Sequence, residues 1–259
     1  MGMTAFRREP LLIGALLSTA VLTGMVPVAI LPGLPKMSAF FASTGGGGTM
    51  AAQLAMTIAA PGIIVGAPVA GWLADRLGKR SMFLCLAILY AVLGVAGGLT
   101  STLPLLFASR FLLGAASGGL TAVATSLIAE FQPIERRDRL LGWSSMTASV
   151  GAFAVLLVAG PLAEVSWRLP FGLYLSGLVT CVIAAFSIQK PIAAPVPVTV
   201  AGGAIRPALR LFLLMAVMST VVFMPAVQGP FLLVHWGIVS PTLQALFHDS
   251  VTAGSIFGA

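Results

Sequence analysis

The chain has 259 residues, of which 58% are hydrophobic and 8% charged, and its formal net charge is +7. A water-soluble domain carries roughly a quarter charged residues, so water is excluded as the solvent for most of this surface and the chain reads as an integral membrane protein. Its apolar runs are continuous and about twenty residues long, the length a helix needs to cross a bilayer, where a β-barrel would show alternating segments of about ten. The expected fold class is therefore all-α and polytopic. The cations stand in short loops beside these runs, which is the orientation signal of a membrane protein and argues against nucleic acid as a partner. Cys85 and Cys181 both fall inside apolar runs and read as packing residues.

A polar lead with Arg7 and Arg8 precedes the first expected span, residues 11–31, which is longer than a signal-peptide core and closes with Pro27, Pro32 and Pro35. Residues 36–48 read as a loop, whose run Gly45 to Gly48 lacks the Lys-Ser or Lys-Thr pair of a phosphate-cradling loop. The second span, residues 49–74, carries Gly62, Gly66 and Ala70, small residues four apart that let another helix approach closely. The third, residues 81–101, repeats that spacing with Gly94 and Gly98, and its short link to the fourth makes the two antiparallel neighbours. The fourth span, residues 104–129, contains Arg110 and ends in the polar turn 130–139. A fifth (140–162) and a sixth (169–188) follow, then a Pro- and Gly-rich segment, 189–208, the only plausible linker. A seventh span, 209–231, leads to residues 242–259, which read as part of an eighth.

The expected organisation is thus a six-span bundle (1–188), a cytoplasmic linker (189–208) and the start of an incomplete second bundle (209–259). Alternating the loops between two sides puts Arg7, Arg8, Arg76, Lys79, Arg80, Arg136, Arg137, Arg139, Lys190, Arg206 and Arg210 together, with Lys36 and Arg168 opposite. The positive-inside rule then places the N-terminus in the cytoplasm. By parity the eighth span should end in a basic flank, which residues 242–259 lack, so a truncated or fragmentary reading frame is expected.

Between the second and third spans the chain reads Gly71-x-x-x-Asp75-Arg76-x-Gly78-Lys79-Arg80. This resembles the cytoplasmic motif of the major facilitator superfamily of secondary transporters. Arg110-x-x-x-Gly114 resembles the family's second motif, with Leu113 where a Gln often stands, and Gly160-Pro161 resembles its antiporter motif, with Glu164 and Val165 in place of a Gly pair. Trp167-Arg168-x-x-Phe171 is similar to a sequence of drug-efflux members. The resemblance covers about residues 11–210. It implies twelve spans in two halves that rock about a solute held near the midplane, in a bacterial-type inner membrane, with a small-molecule solute and a proton as candidate coupling ion. It also implies that Asp75, Arg76 and Arg80 latch the two halves on the cytoplasmic side.

Physical chemistry adds to each motif. Asp75 sits at a helix C-terminus, where the macrodipole disfavours an anion by about 0.3–1 kcal/mol, so it calls for a partner among Arg76, Lys79, Arg80 or another helix's N-terminus. Gly78 should supply the positive φ of a tight reversal and Gly71 should allow close packing; a plain positive-inside anchor is the competing reading. Arg110 is the one charge well inside the first seven spans, and placing it there costs about 2.5–3.5 kcal/mol on insertion scales. Gly114, Ser117, Gly118, Thr121 and Thr125 share its side of the helix, so it faces packed protein or a cavity, and its partner is backbone, hydroxyl, water or an anionic ligand. Substrate or proton coupling and a structural arginine are both open.

Gly160 and Pro161 read as a helix-bend motif, with ordinary helix packing as the alternative. Candidate cavity residues are Gln53, Met56 and Thr57 in the second span, Met146 and Thr147 in the fifth, and Met218 and Gln228 in the seventh. No metal site, cofactor loop or hydrolase motif is found, so no enzyme is expected. The leading expectation is an efflux transporter working by alternating access. Uptake of a metabolite or sugar competes with it, as does a non-transporting remnant or a subunit completed by another chain.

Overall fold

A computed structural model describes residues 3–43, 48–188, 228–237 and 239–247. Among these residues every regular element is helical: α1 (Met3–Val28), α2 (Leu34–Ser43), α3 (Gly48–Thr57), α4 (Ala59–Leu77), α5 (Lys79–Leu99), α6 (Leu103–Phe131), α7 (Ile134–Val165) and α8 (Ser176–Ser187), with 3-10 turns at Leu31–Gly33 and Leu169–Leu175. Shorter helices cover residues 228–235 and 241–247. Among the described residues six helical stretches are long and apolar enough to cross a membrane: Ile13–Ser43, Gly48–Leu77, Lys79–Leu99, Leu103–Phe131, Glu135–Val165 and Leu169–Ser187. The linker 189–208 and most of the seventh and eighth expected spans lie outside the described residues.

The helix boundaries differ from the sequence expectation at four places, each for a local reason. Residues 36–43 are helical rather than loop. Pro32 and Pro35 fall in the first turns of the 3-10 turn and of α2, where a missing N–H costs nothing, and Phe40 and Phe41 anchor α2 on the Trp167 ring, at 5.4 and 5.9 Å between centroids. The second span is interrupted at Ile58, because Pro61 has no N–H to offer the Thr57 carbonyl. The charged segment 130–139 is not a turn: α6 runs to Phe131 and α7 starts at Ile134, so Glu135 and its neighbours form the first turns of α7. The sixth span opens as 3-10 over Leu169–Leu175 before becoming α8.

The bundle is organised on α6, which packs on α4, α5 and α1. The α4–α6 crossing is so close that a methyl at Gly62 would lie 2.1 Å from the Phe111 carbonyl oxygen and one at Gly66 2.2 Å from that of Ala115. Reciprocally, a methyl at Gly114 would lie 2.0 Å from the Ala59 carbonyl oxygen and one at Gly118 2.4 Å from that of Ile63. Without a hydrophobic drive between helices in lipid, such small-residue contact is what holds spans together. Helix α8 packs on α5 and on α1, and α7 packs on α1.

Candidate functional site

The motif loop between α4 and α5 is built around Gly78, whose φ of 88° makes the tight reversal. Its cations each find a partner within this bundle. Lys79 Nζ pairs with Glu130 Oε2 at 2.7 Å, Arg80 Nη2 donates to the Ala185 carbonyl in the last turn of α8 at 2.8 Å, and the Arg76 guanidinium lies over the Trp72 ring at 3.8 Å. Asp75 is exposed, and no cation comes within ion-pair distance of it among the described residues. Two expectations are corrected, the first being that Asp75 pairs with its own loop cations, which turn to Glu130, Ala185 and Trp72 instead. Gly71 faces open space, with no atom within 4 Å of the position a Cβ would take, so no close approach depends on it.

Arg110 is the centre of the interior. Its side chain is 1% exposed, and its Nη1 and Nη2 donate to Tyr174 Oη at 2.9 and 3.1 Å. The guanidinium lies 4.7 Å from the Phe171 ring centroid and 5.0 Å from that of Tyr174, so two ring faces supply the negative potential that no carboxylate among the described residues supplies. Tyr174 Oη in turn donates a hydrogen bond to the Val26 carbonyl at 2.9 Å. Tyr90, edge-on to Tyr174 with 5.7 Å between centroids, donates to the Leu22 carbonyl at 2.6 Å. Two phenols therefore grip α1 one turn apart.

The glycines of α5 make room for these rings. A methyl at Gly94 would lie 2.2 Å from Tyr174 Cβ, and methyls at Gly97 and Gly98 would lie 2.6 and 2.8 Å from Phe171 atoms. The rings continue outward from Tyr174 through Phe171 to Trp167 and α2, with neighbouring centroids 6.3, 6.1 and 5.4 Å apart. The Trp167-Arg168-x-x-Phe171 and Arg110-x-x-x-Gly114 motifs are thus one assembly, in which Gly114 seats α6 on α4 and Arg110 is held by the aromatic chain. Tyr90 and Tyr174 escaped the sequence reading. The available signal was that the chain has only two tyrosines, both inside apolar runs, where a buried phenol must find a hydrogen-bond partner.

A polar face lies along the side of α1, α3, α6 and α7 that the bundle leaves open. Thr23 Oγ1 and Thr121 Oγ1 are 2.9 Å apart across the α1–α6 gap, and Thr125 continues the stripe one turn on along α6, its hydroxyl donating to the Thr121 carbonyl. Ala148 of α7 lies against Gly24 of α1, and Thr147, which precedes it, is half-buried with its hydroxyl on the Trp143 carbonyl. Gln53 Nε2 donates to Gln228 Oε1 at 2.9 Å, so two cavity candidates 175 positions apart meet. Thr57 and Met146 are exposed. Met56 is 5% exposed in the core and is a packing residue rather than a lining one. Met218 lies outside the described residues.

At the far end of α7 the helix continues through Pro161 to Val165. Gly160 receives the helix at 241–247, where a methyl would lie 3.0 Å from Thr242 Cα and 3.1 Å from Ala245 Cβ. Ser240 Oγ donates to Glu164 Oε1 at 2.5 Å, and Lys36 Nζ donates to the Glu164 carbonyl at 2.6 Å.

Known proteins share the family and the fold. The family model described as Major Facilitator Superfamily matches residues 11–259. Multidrug resistance protein 1 of Bacillus subtilis is 29% identical over 145 residues, which cover 56% of this chain and 37% of that protein. The glucose transporter GlcP of Staphylococcus epidermidis is 32% identical over 113 residues, 43% of this chain and 25% of that protein. The chain therefore spans well under two thirds of these relatives. Among solved structures, a D-xylose–proton symporter superposes with a TM-score of 0.72 at 17% identity, covering 95% of this chain and 66% of that one. A bacterial homologue of the human lysosomal transporter Spinster, inward-facing and unoccupied, gives 0.74 at 20% identity, covering 96% and 61%. At these identities the structural likeness shows the fold alone.

Proposed function

The chain belongs to the Major Facilitator Superfamily of transporters, and on that premise we propose that it serves efflux of small drug-like or metabolite solutes by alternating access. The observation that carries this reading is the polar face. Residues Thr23, Gln53, Thr57, Thr121, Thr125 and Thr147 put hydroxyls and amides on the open side of membrane-spanning helices, whereas the exposed side chains of α5 and α8, such as Ile88, Val92, Val179 and Phe186, are of the kind that face lipid. Each threonine donates to a carbonyl one turn back or across to a neighbour, which leaves oxygen lone pairs to accept from a solute. In this reading Arg110 acts in coupling from behind the face. The cytoplasmic motif, Gly71 to Arg80 with Asp75, Arg76 and Arg80, latches the two halves, Gly160-Pro161 lets span five bend, and residues 209–259 begin the second bundle after a linker at 189–208. The N-terminus is cytoplasmic and the membrane a bacterial-type inner membrane.

Export is supported by the Gly160-Pro161 pair, by Trp167 to Phe171 and by the multidrug relative. Sugar uptake is the second reading, favoured by the relative named a glucose transporter and by a face made of hydroxyls and amides. Equilibrium binding separates them without requiring turnover. Trp143 stands one turn before Thr147 on α7 and its side chain is exposed, so its fluorescence, isolated by a Trp143→Phe control, is the readout for occupation of the face. Saturable quenching by ethidium that glucose does not reverse is the expected result. Competition by glucose would move the assignment to uptake, and no saturable binding of either probe would overturn the reading.

A further inference from the structure

We propose that Tyr174 is a positioning residue through which Arg110 holds span one at the point where that span is weakest. This deepens the reading of Arg110 given above and rests on it for functional meaning, although the clamp itself is testable alone. A phenol oxygen has one proton and two lone pairs. Tyr174 uses all three, accepting from Nη1 and Nη2 of Arg110 and donating to the Val26 carbonyl. Charge-assisted donors on an oxygen polarise its O–H and strengthen the bond that the O–H makes in turn. The charge on α6 is therefore felt at a backbone carbonyl of α1.

The place it acts on is specific. Val26 precedes Pro27, which has no N–H, so the Thr23 carbonyl lacks its helical partner there. Thr23 is also the residue that meets Thr121 on the polar face. The clamp at Val26 thus steadies the turn that presents Thr23, and Thr121 lies three turns along α6 from Arg110 on the same side, since eleven residues rotate a helix by about 20° from full register. Tyr90 grips the next turn, at Leu22, without a hydrogen bond to Arg110, which makes it the natural control.

The experiment uses the full chain in detergent with 15N-labelled arginine. The Arg110 side-chain signal is assigned by its loss in Arg110→Lys, and exchange of the Ala29 amide, bonded to Met25, is followed in parallel. Tyr174→Phe keeps the ring in its glycine-lined seat and removes only the hydroxyl. The expected result is that Tyr174→Phe moves the Arg110 guanidinium resonances to those of a free side chain and speeds Ala29 exchange by about tenfold, the factor one such hydrogen bond is worth. Tyr90→Phe should leave the Arg110 signal in place. Unchanged Arg110 resonances in Tyr174→Phe, or equal changes in both variants at equal helical content, would overturn the proposal. An intact clamp with no saturable probe binding would instead sink the efflux reading and leave this inference standing.

Discussion

Arg110 is a buried cation balanced by oxygen and ring faces rather than by a carboxylate, and that choice sets what its variants do. Arg110→Ala removes two charge-assisted bonds and the ring contacts, and interhelical hydrogen bonds in membranes are worth about 0.6–1.7 kcal/mol each. A loss of about 2 kcal/mol is expected, measured by unfolding in mixed micelles. Arg110→Lys keeps the charge but loses the planar fork and the stacking, and about 1 kcal/mol is expected. Because the two partners share one interaction, the pair Arg110→Met with Tyr174→Phe should cost less than the sum of the single changes. The Lys79–Glu130 pair, with side chains 22% and 23% exposed, belongs to a different class. Lys79→Ala should cost under about 1 kcal/mol, and raised salt should shrink that difference.

At the scale of elements the glycines divide into those that seat a helix and those that do not. Gly66→Ala drives a methyl to 2.2 Å from the Ala115 carbonyl and 2.4 Å from its Cα, and backbone cannot move aside as a side chain can. Overpacking of this kind costs about 1–3 kcal/mol, so a lower thermal midpoint and a smaller monodisperse fraction by size exclusion are expected. Gly71→Ala meets no atom and should leave both measurements unchanged. Sequence spacing placed Gly62, Gly66, Gly94 and Gly98 on packing stripes but could not say against what. The first two meet a helix backbone, the last two meet aromatic rings from a segment more than seventy positions away. The same limit explains the helix ends. A proline in an apolar run signals a break by itself, but whether it sits in a first turn, like Pro32 and Pro35, or interrupts a span, like Pro61, is decided by the neighbouring turns.

At the scale of the molecule, the six spans of the described residues were legible because lipid demands about twenty apolar residues and leaves few other ways to satisfy a backbone. The depth of Arg110 was legible for the same reason. Its partner was not, because the hydroxyl that takes it comes from Tyr174, 64 positions on, and only the packing of α5 against the 3-10 turn brings the ring there. Gln53 and Gln228 were each found as polar residues in apolar runs, while their meeting needed the fold. In the proposed function the open side of α1, α3, α6 and α7 faces a water-filled solute path. That placement is tested most directly by single-cysteine labelling in native membranes, with Cys85 and Cys181 replaced by Ser and a membrane-impermeant thiol reagent applied. Thr121→Cys, Thr125→Cys and Thr57→Cys are expected to react, and Val179→Cys and Phe186→Cys are expected not to. Equal protection of both sets, or labelling of the α8 positions alone, would contradict it.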